Sequence, residues 1–461
     1  MKPAERRVLV VAILASFVVF LDGSVVNVAL PAIAGDLDGG VLDGLALQQW
    51  VVDAYLVTLG ALILVAGSLS DVLGRRSVLS WGLVGFGLAS LACAVAPSGV
   101  VLVVARAVQG AAGALLVPSS LAMIVATFRG EAQGRAIGTW TAWTGTAMIA
   151  GPLLGGILVD TSSWRWVFAV NVLPVAVTAW LLRGTDRGER DRSRRVDVAG
   201  AALVALGLAG TVFALIEQGR LGWGDPLVWG PLVLGVLALV VFVLWERRVA
   251  DPVLPLRLFA VRNFSAGNLT TAFVYGALAF GGFVVVLFLQ QVASYSATAA
   301  GLAMLPVTLL MLVLSSRAGS LAGRYGARVF MTAGPLLAAA GYLLMLTTTQ
   351  DADYLTQLLP GVLLFGLGLS ATVAPLTASI LAAVPPEDAG IGSAVNNAVS
   401  RVAGLVVIAC AGVVLGPTLD LAGFHRALVL TAVLLALGGL VSWLGVRDAP
   451  TTAGAEGSAV A

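Results

Sequence analysis

Four charged residues stand in stretches that are otherwise apolar: Asp22 in FLDGSVV, Asp53 in WVVDAYLV, Arg106 in VARAVQG and Arg401 in AVSRVAG. A charge in hydrocarbon costs ~2.5–3.5 kcal/mol on insertion scales, so such residues pair with one another, line water or do work. Two acids and two bases also balance. Low dielectric favours a neutral carboxyl group, and a nearby guanidinium favours the ionised one. That opposition suits an aspartate to take a proton from one side and give it up on the other. The competing use is a permanent ion pair that fixes helix packing. Asp53 has a third use, contact with a cationic compound. Enzyme chemistry finds little to stand on. The one histidine, His425, falls at the loop edge of the last span, Cys93 and Cys410 are distant packing residues inside spans, and no Gly-x-Ser-x-Gly or metal-ligand spacing occurs. A phosphate loop of the Gly-x4-Gly-Lys-Ser/Thr type is also missing. No catalytic residue, cofactor, metal, nucleic acid or ATP is expected.

The elements that must hold these charges follow from composition. Of 461 residues, 59% are hydrophobic and 11% charged, and the mean hydropathy is +1.00. Soluble domains carry nearer a quarter charged residues. Cut at its charged clusters, the chain yields fourteen apolar segments: 8–33, 47–70, 77–96, 100–128, 135–158, 166–182, 198–217, 228–246, 264–290, 299–322, 329–348, 355–384, 391–415 and 425–446. Most are long enough to cross a core ~30 Å thick at 1.5 Å per residue. An all-α polytopic membrane protein is expected. The N-terminal run carries Asp22 and is followed by further spans, so it is read as a retained first span.

Basic residues orient the chain. Of its 26 Lys and Arg, 21 fall in connections on the side of the N-terminus. Three, Arg165, Arg220 and Arg426, fall on the other side, and Arg106 and Arg401 lie within spans. That asymmetry places both termini in the cytoplasm of a cell-membrane protein. Counting from Val8, Asp22 is ~21 Å up the first helix, ~9 Å short of the outer edge. Asp53 and Arg106 are each about six residues below the outer ends of their spans, again ~9 Å deep. These three are expected to share one polar layer, with Arg401 ~15 Å deep, near the midplane.

Two polar connections divide the chain. Arg183–Asp197, with six arginines among four acids, and Arg247–Asn263 flank two spans with little polarity, which leaves six spans before them and six after. The outer groups echo each other: GSLSDVLGRR (Gly67–Arg76) and GSLAGRYGAR (Gly319–Arg328) each follow the second span of a group of six. Paired bundles of this kind are a transporter architecture.

These motifs resemble the major facilitator superfamily, in particular its fourteen-span drug:proton antiporters, over nearly the whole chain. Gly67–Arg76 is similar to the superfamily's loop Gly-x-Leu-x-Asp-x-x-Gly-Arg-Arg/Lys, with Val72 where a base is usual. LVVARAVQGAAGA resembles the fourth-span motif, with its buried arginine and Gln-Gly pair. AMIAGPLLGGIL resembles the fifth-span antiporter motif, with Ala147 in place of Gly. LDGSVVNVALP and WRWVFAVNVLP resemble the first-span motif and the entry to span six of that branch, with Ser24 in place of Thr.

The resemblance implies two six-helix bundles, 1–182 and 264–446, joined by a linker with two extra transmembrane helices, 183–263, and ending in a disordered cytoplasmic tail, 447–461. It implies proton-coupled efflux of small lipophilic or cationic drugs or antibiotics by alternating access. Asp22, Asp53 and Arg106 would couple protons; Gly67, Asp71, Gly74, Arg75 and Arg76 would form a gating loop. Gly151, Pro152, Gly155 and Gly156 would form a smooth seam between halves. Asn27, Trp50, Tyr55, Gln109, Trp143 and Arg401 are candidate substrate contacts. Partners are then a small-molecule substrate, protons and the lipid bilayer, and a monomer is expected. A carrier of an endogenous metabolite or nutrient is the alternative, and a membrane-embedded enzyme a remote one.

Overall fold

A computed structural model of the chain describes residues 1–448, apart from 38–39, 41, 43, 186–196, 250–251, 253, 386–388 and 417–418. Inside helices, the side chains at 64, 67, 68, 71, 130, 131, 134, 141, 142, 145, 148, 149, 389 and 390 also lie outside the description. The expected tail therefore falls almost wholly beyond the described residues.

All regular elements among the described residues are helices, as a chain without water to satisfy its backbone requires. In order they are α1 Pro3–Asp36, α2 Gly44–Leu73, α3 Arg75–Ala94, α4 Gly99–Thr127, α5 Gly130–Thr161, α6 Arg165–Ala169, α7 Val172–Leu182, α8 Val198–Leu221 and α9 Pro226–Glu246. There follow α10 Arg262–Gln291, α11 Ala297–Ala303, α12 Leu305–Tyr325, α13 Ala327–Leu344, α14 Leu359–Ala382, α15 Ala389–Ala409, α16 Ala411–Leu415 and α17 Leu421–Gly445. Thirteen stretches among the described residues are long and apolar enough to cross a membrane. The 32-residue α5 runs beside α1 as well.

Three expected spans are broken. The sixth divides into α6 and α7 at Val170–Asn171, and the tenth into α11 and α12 at Met304. Pro174 and Pro306 lie just beyond these breaks, and a ring nitrogen gives no hydrogen bond to the carbonyl four residues earlier. The thirteenth changes course at Cys410, between α15 and α16.

The echo between the two groups of six is structural. Gly74 (φ 92°, ψ 129°) precedes α3 and Gly326 (φ 93°, ψ 139°) precedes α13. A side chain is strained in that backbone region, so glycine is what lets the chain turn there. Two residues on, Arg76 donates to the carbonyls of Thr185 (2.7 Å) and Arg183 (3.1 Å) at the end of α7. Arg328 donates likewise to the Trp443 carbonyl near the end of α17 (2.8 Å) and lies over the Trp443 ring. Both satisfy carbonyls that a helix end leaves open. The first helix of each group does the same, Arg7 to Gly184 (3.0 Å) and Arg262 to Leu444 and Gly445 (2.6 and 2.9 Å).

The groups meet along α1·α10, α2·α15 and α5·α11. Hydrogen bonds between them join segments remote from the chain termini. Gln49 donates to the carbonyls of Ile408 (2.9 Å) and Ala409 (3.1 Å), and Gln290 to that of Val28 (3.0 Å). Asp160 accepts from the backbone of Ala297 (3.1 Å) and Thr298 (2.8 Å) and from the Thr298 hydroxyl (2.6 Å). α8 lies against the α2–α15 seam, where Leu208, Val212 and Ile216 cluster with Val57, Ala61, Leu405 and Ala409, and α9 packs on α8.

Candidate functional site

α1 and α4 bring Asp22 and Arg106 together. Their side chains are 0% and 2% exposed and form an ion pair of 2.5 Å, Arg106 Nη1 to Asp22 Oδ2. The other carboxylate oxygen accepts from Gln109 Nε2 (2.9 Å) and from Asn171 Nδ2 (2.8 Å) at the start of α7. Gln109, three residues after Arg106 and so on the same helix face, accepts from Arg106 through Oε1 (2.7 Å) and donates to Ser90 Oγ on α3 (2.9 Å). Arg106 Nε donates to the Val51 carbonyl (2.9 Å), and its guanidinium lies 4.2 Å from the Tyr55 ring centroid. Such a pair holds its charges out of water only because nearly every donor and lone pair is used. Gly110 makes the approach possible, since a β-carbon there would strike the Tyr55 carbonyl and the Thr58 hydroxyl of α2.

Asp53 does not join this layer. It is 0% exposed, and neither carboxyl oxygen has a hydrogen-bond partner. Residues two apart on a helix point about 200° round from each other. Arg106 meets α2 at Val51 and Tyr55, so Asp53 faces the other way. Gln49, one turn before it on its own face, reaches Ile408 and Ala409. Asp53 therefore lies in the closed seam between α2 and α15.

Arg401, half-buried on α15, reaches the same seam further toward the termini. Its guanidinium is 5.3 Å from the Phe20 ring centroid of α1.

The other expected site residues scatter. Tyr55 is buried beneath Arg106, its hydroxyl facing the Val19 carbonyl (3.4 Å). Asn27 is half-buried on α1. Trp50 points to α8, giving its indole N–H to Glu217 (3.0 Å), and Trp143 is 55% exposed on α5. Gly151 and Gly155 fit against Ser24 and Val25 of α1, while Gly156 meets Thr298 and the Pro152 carbonyl meets Gly301 across the groups. The motif thus serves one packing contact within its group and one between groups. Gly67 and Asp71 lie in α2, but their side chains are outside the described residues. Gly74 turns the chain and Arg76 closes α7; Arg75 begins α3.

Sequence reasoning missed Asn171, Gln49 and Asp160. Asn171 stood inside a quoted motif as the only amide in an apolar run. Gln49 and Asp160 sit at span ends, where polar side chains are ordinary. Among the described residues no three His, Cys, Asp or Glu side chains converge as metal ligands.

Known proteins resemble this chain in sequence and in fold. The chain is 40% identical to the puromycin resistance protein of Streptomyces alboniger over 412 residues, 87% of this chain and 80% of that protein. It is 36% identical to the methylenomycin A resistance protein of Streptomyces coelicolor over 433 residues, 92% and 88% of the two chains. Its fold matches the inward open xylose transporter XylE of E. coli with a TM-score of 0.66 at 16% identity, covering 97% of this chain and 98% of that one. The family model for the Major Facilitator Superfamily matches residues 12–409. A helical membrane-embedded chain with these relatives and this buried charge cluster belongs to the Major Facilitator Superfamily.

Proposed function

We propose that the chain exports small lipophilic antibiotic-like compounds across the cytoplasmic membrane in exchange for protons, by alternating access, as a non-enzymatic carrier acting as a monomer. The names of its relatives, given for antibiotic resistance, support the cargo class. Both termini face the cytoplasm in this reading, α5 is the fourteenth crossing, and 1–182 and 264–446 are the rocking bundles, with 183–263 between them.

The observation that carries proton coupling is Asp53, shut into the seam between bundles with both oxygens unpartnered. An ionised carboxylate there would be uncompensated, whereas a neutral acid group is tolerated. The outer seam therefore closes on a protonated Asp53. A proton taken up outside permits closing; its loss toward the inside, with cargo bound, permits reopening. Asp22, paired with Arg106 and Asn171, holds α1, α4 and α7 in register while the seam works. The pH gradient is thus tied to the seam rather than to the cargo itself.

The test is Asp53→Asn in proteoliposomes with an imposed pH gradient. The expected result is loss of gradient-driven export, with exchange of cargo down its own gradient retained. Undiminished gradient-driven export by that variant overturns the assignment.

A further inference from the structure

Of the four charges Asp22, Asp53, Arg106 and Arg401, the mechanism above leaves Arg401 unused. Asp22 and Arg106 neutralise each other, and Asp53 is sealed away at 0% exposure. Arg401 differs from all three. It is half-buried, and among the described residues no carboxylate or hydrogen-bond acceptor meets its guanidinium. Its neighbours are aromatic: the Phe20 ring at 5.3 Å, with Tyr55 of α2 and Tyr275 of α10 within electrostatic reach. Asn397, one turn earlier on the same face of α15, is half-buried and has no side-chain hydrogen bond.

The position is as telling as the charge. The seam between bundles is tied shut by Gln49, Gln290 and Asp160 toward one end, and Arg401 lies on the other side of those ties. It starts about twelve residues, ~18 Å, from the end of α15 nearer the termini. A guanidinium presents a planar fork of donors that fits a carboxylate or similar oxyanion two bonds at a time. Aromatic walls suit an apolar body beside that anion. Among the described residues no carboxylate is presented to a cationic cargo in the same place, because Asp22 and Asp53 face elsewhere.

Resting on the efflux reading above, we infer that Arg401, with Asn397, binds the acid group of the cargo, so that the exported compounds are lipophilic anions rather than cations. The anion supplies the counter-charge that the protein withholds. Loading the cargo then neutralises Arg401 before the bundles rock.

The experiment uses the full chain in proteoliposomes with a pH gradient. Its probes are lipophilic acids, led by phenylbutyrate and naphthylacetate, with their methyl esters and the matching amines. Wild type is expected to move the acids in preference to esters and amines. Arg401→Gln is expected to lower acid transport by about tenfold or more, since a charge-assisted hydrogen bond is lost, and to leave ester transport little changed. Arg401→Lys retains part of the acid transport, which also controls for folding. Gradient-driven transport confined to amines or esters, or acid transport unchanged in Arg401→Gln, overturns the inference while the efflux reading stands. Failure of the wild type to move any compound removes both.

Discussion

At the scale of single residues, the Asp22–Arg106 pair is set so that neither partner can be lost alone. Asp22→Asn leaves a buried guanidinium without its counter-charge, and Arg106→Gln leaves a buried carboxylate. Each is expected to destabilise the protein by about 3–5 kcal/mol, and the double variant by less than the sum. Thermal unfolding of the detergent-solubilised variants measures this, and additive losses would mean that the pair is not coupled. The sequence made this pair legible because rise per residue converts position into depth, and both charges came out at one level. The same arithmetic put Asp53 in that layer, which the structure corrects: depth is one coordinate, and the direction a residue faces round its helix depends on what packs there. Val51 and Tyr55 face Arg106, so Asp53 cannot. Asn171 was unreadable for a related reason, since its partner Asp22 is 149 residues away.

At the scale of elements, the end of α5 is fastened to the start of α11 by one carboxylate. Asp160 takes two backbone N–H groups and a hydroxyl from the other bundle, and Gly156 beneath it leaves room for the Thr298 backbone. Asp160→Ala is expected to raise the share of molecules open at this end severalfold, with little change in folding. Labelling of cysteines placed in the seam by a membrane-impermeant thiol reagent reads this out; unchanged labelling would mean that apolar packing alone closes the end. Most helices were legible as apolar runs of the right length. The breaks at Val170–Asn171 and Met304 were not, because nearby apolar residues mask them and only the prolines just beyond give a sign.

At the scale of the whole molecule, α8 touches both bundles unequally. The indole of Trp50 on α2 is held by Glu217 of α8, whereas α15 meets α8 through apolar residues such as Leu405 and Ala409. α8 should therefore travel with α2 and slide on α15. In a background lacking Cys93 and Cys410, a flexible thiol crosslink between positions 50 and 217 should preserve at least half of transport. A crosslink between α8 and α15 should reduce it by tenfold or more. Equal inhibition by both would place α8 as a fixed strut between bundles.

The matching arginines at the helix ends carry one more consequence. Arg7 and Arg76 bind the end of α7, and Arg262 and Arg328 bind the end of α17, so each group of six ties its first and third helices to its own last one. Each ring is closed without help from the other, as expected of two copies descended from one ancestral unit. The protein should then tolerate being made as two polypeptides. Fragments severed between 186 and 196 and produced together should reassemble into a working carrier, recovered by co-purification through a tag on either piece.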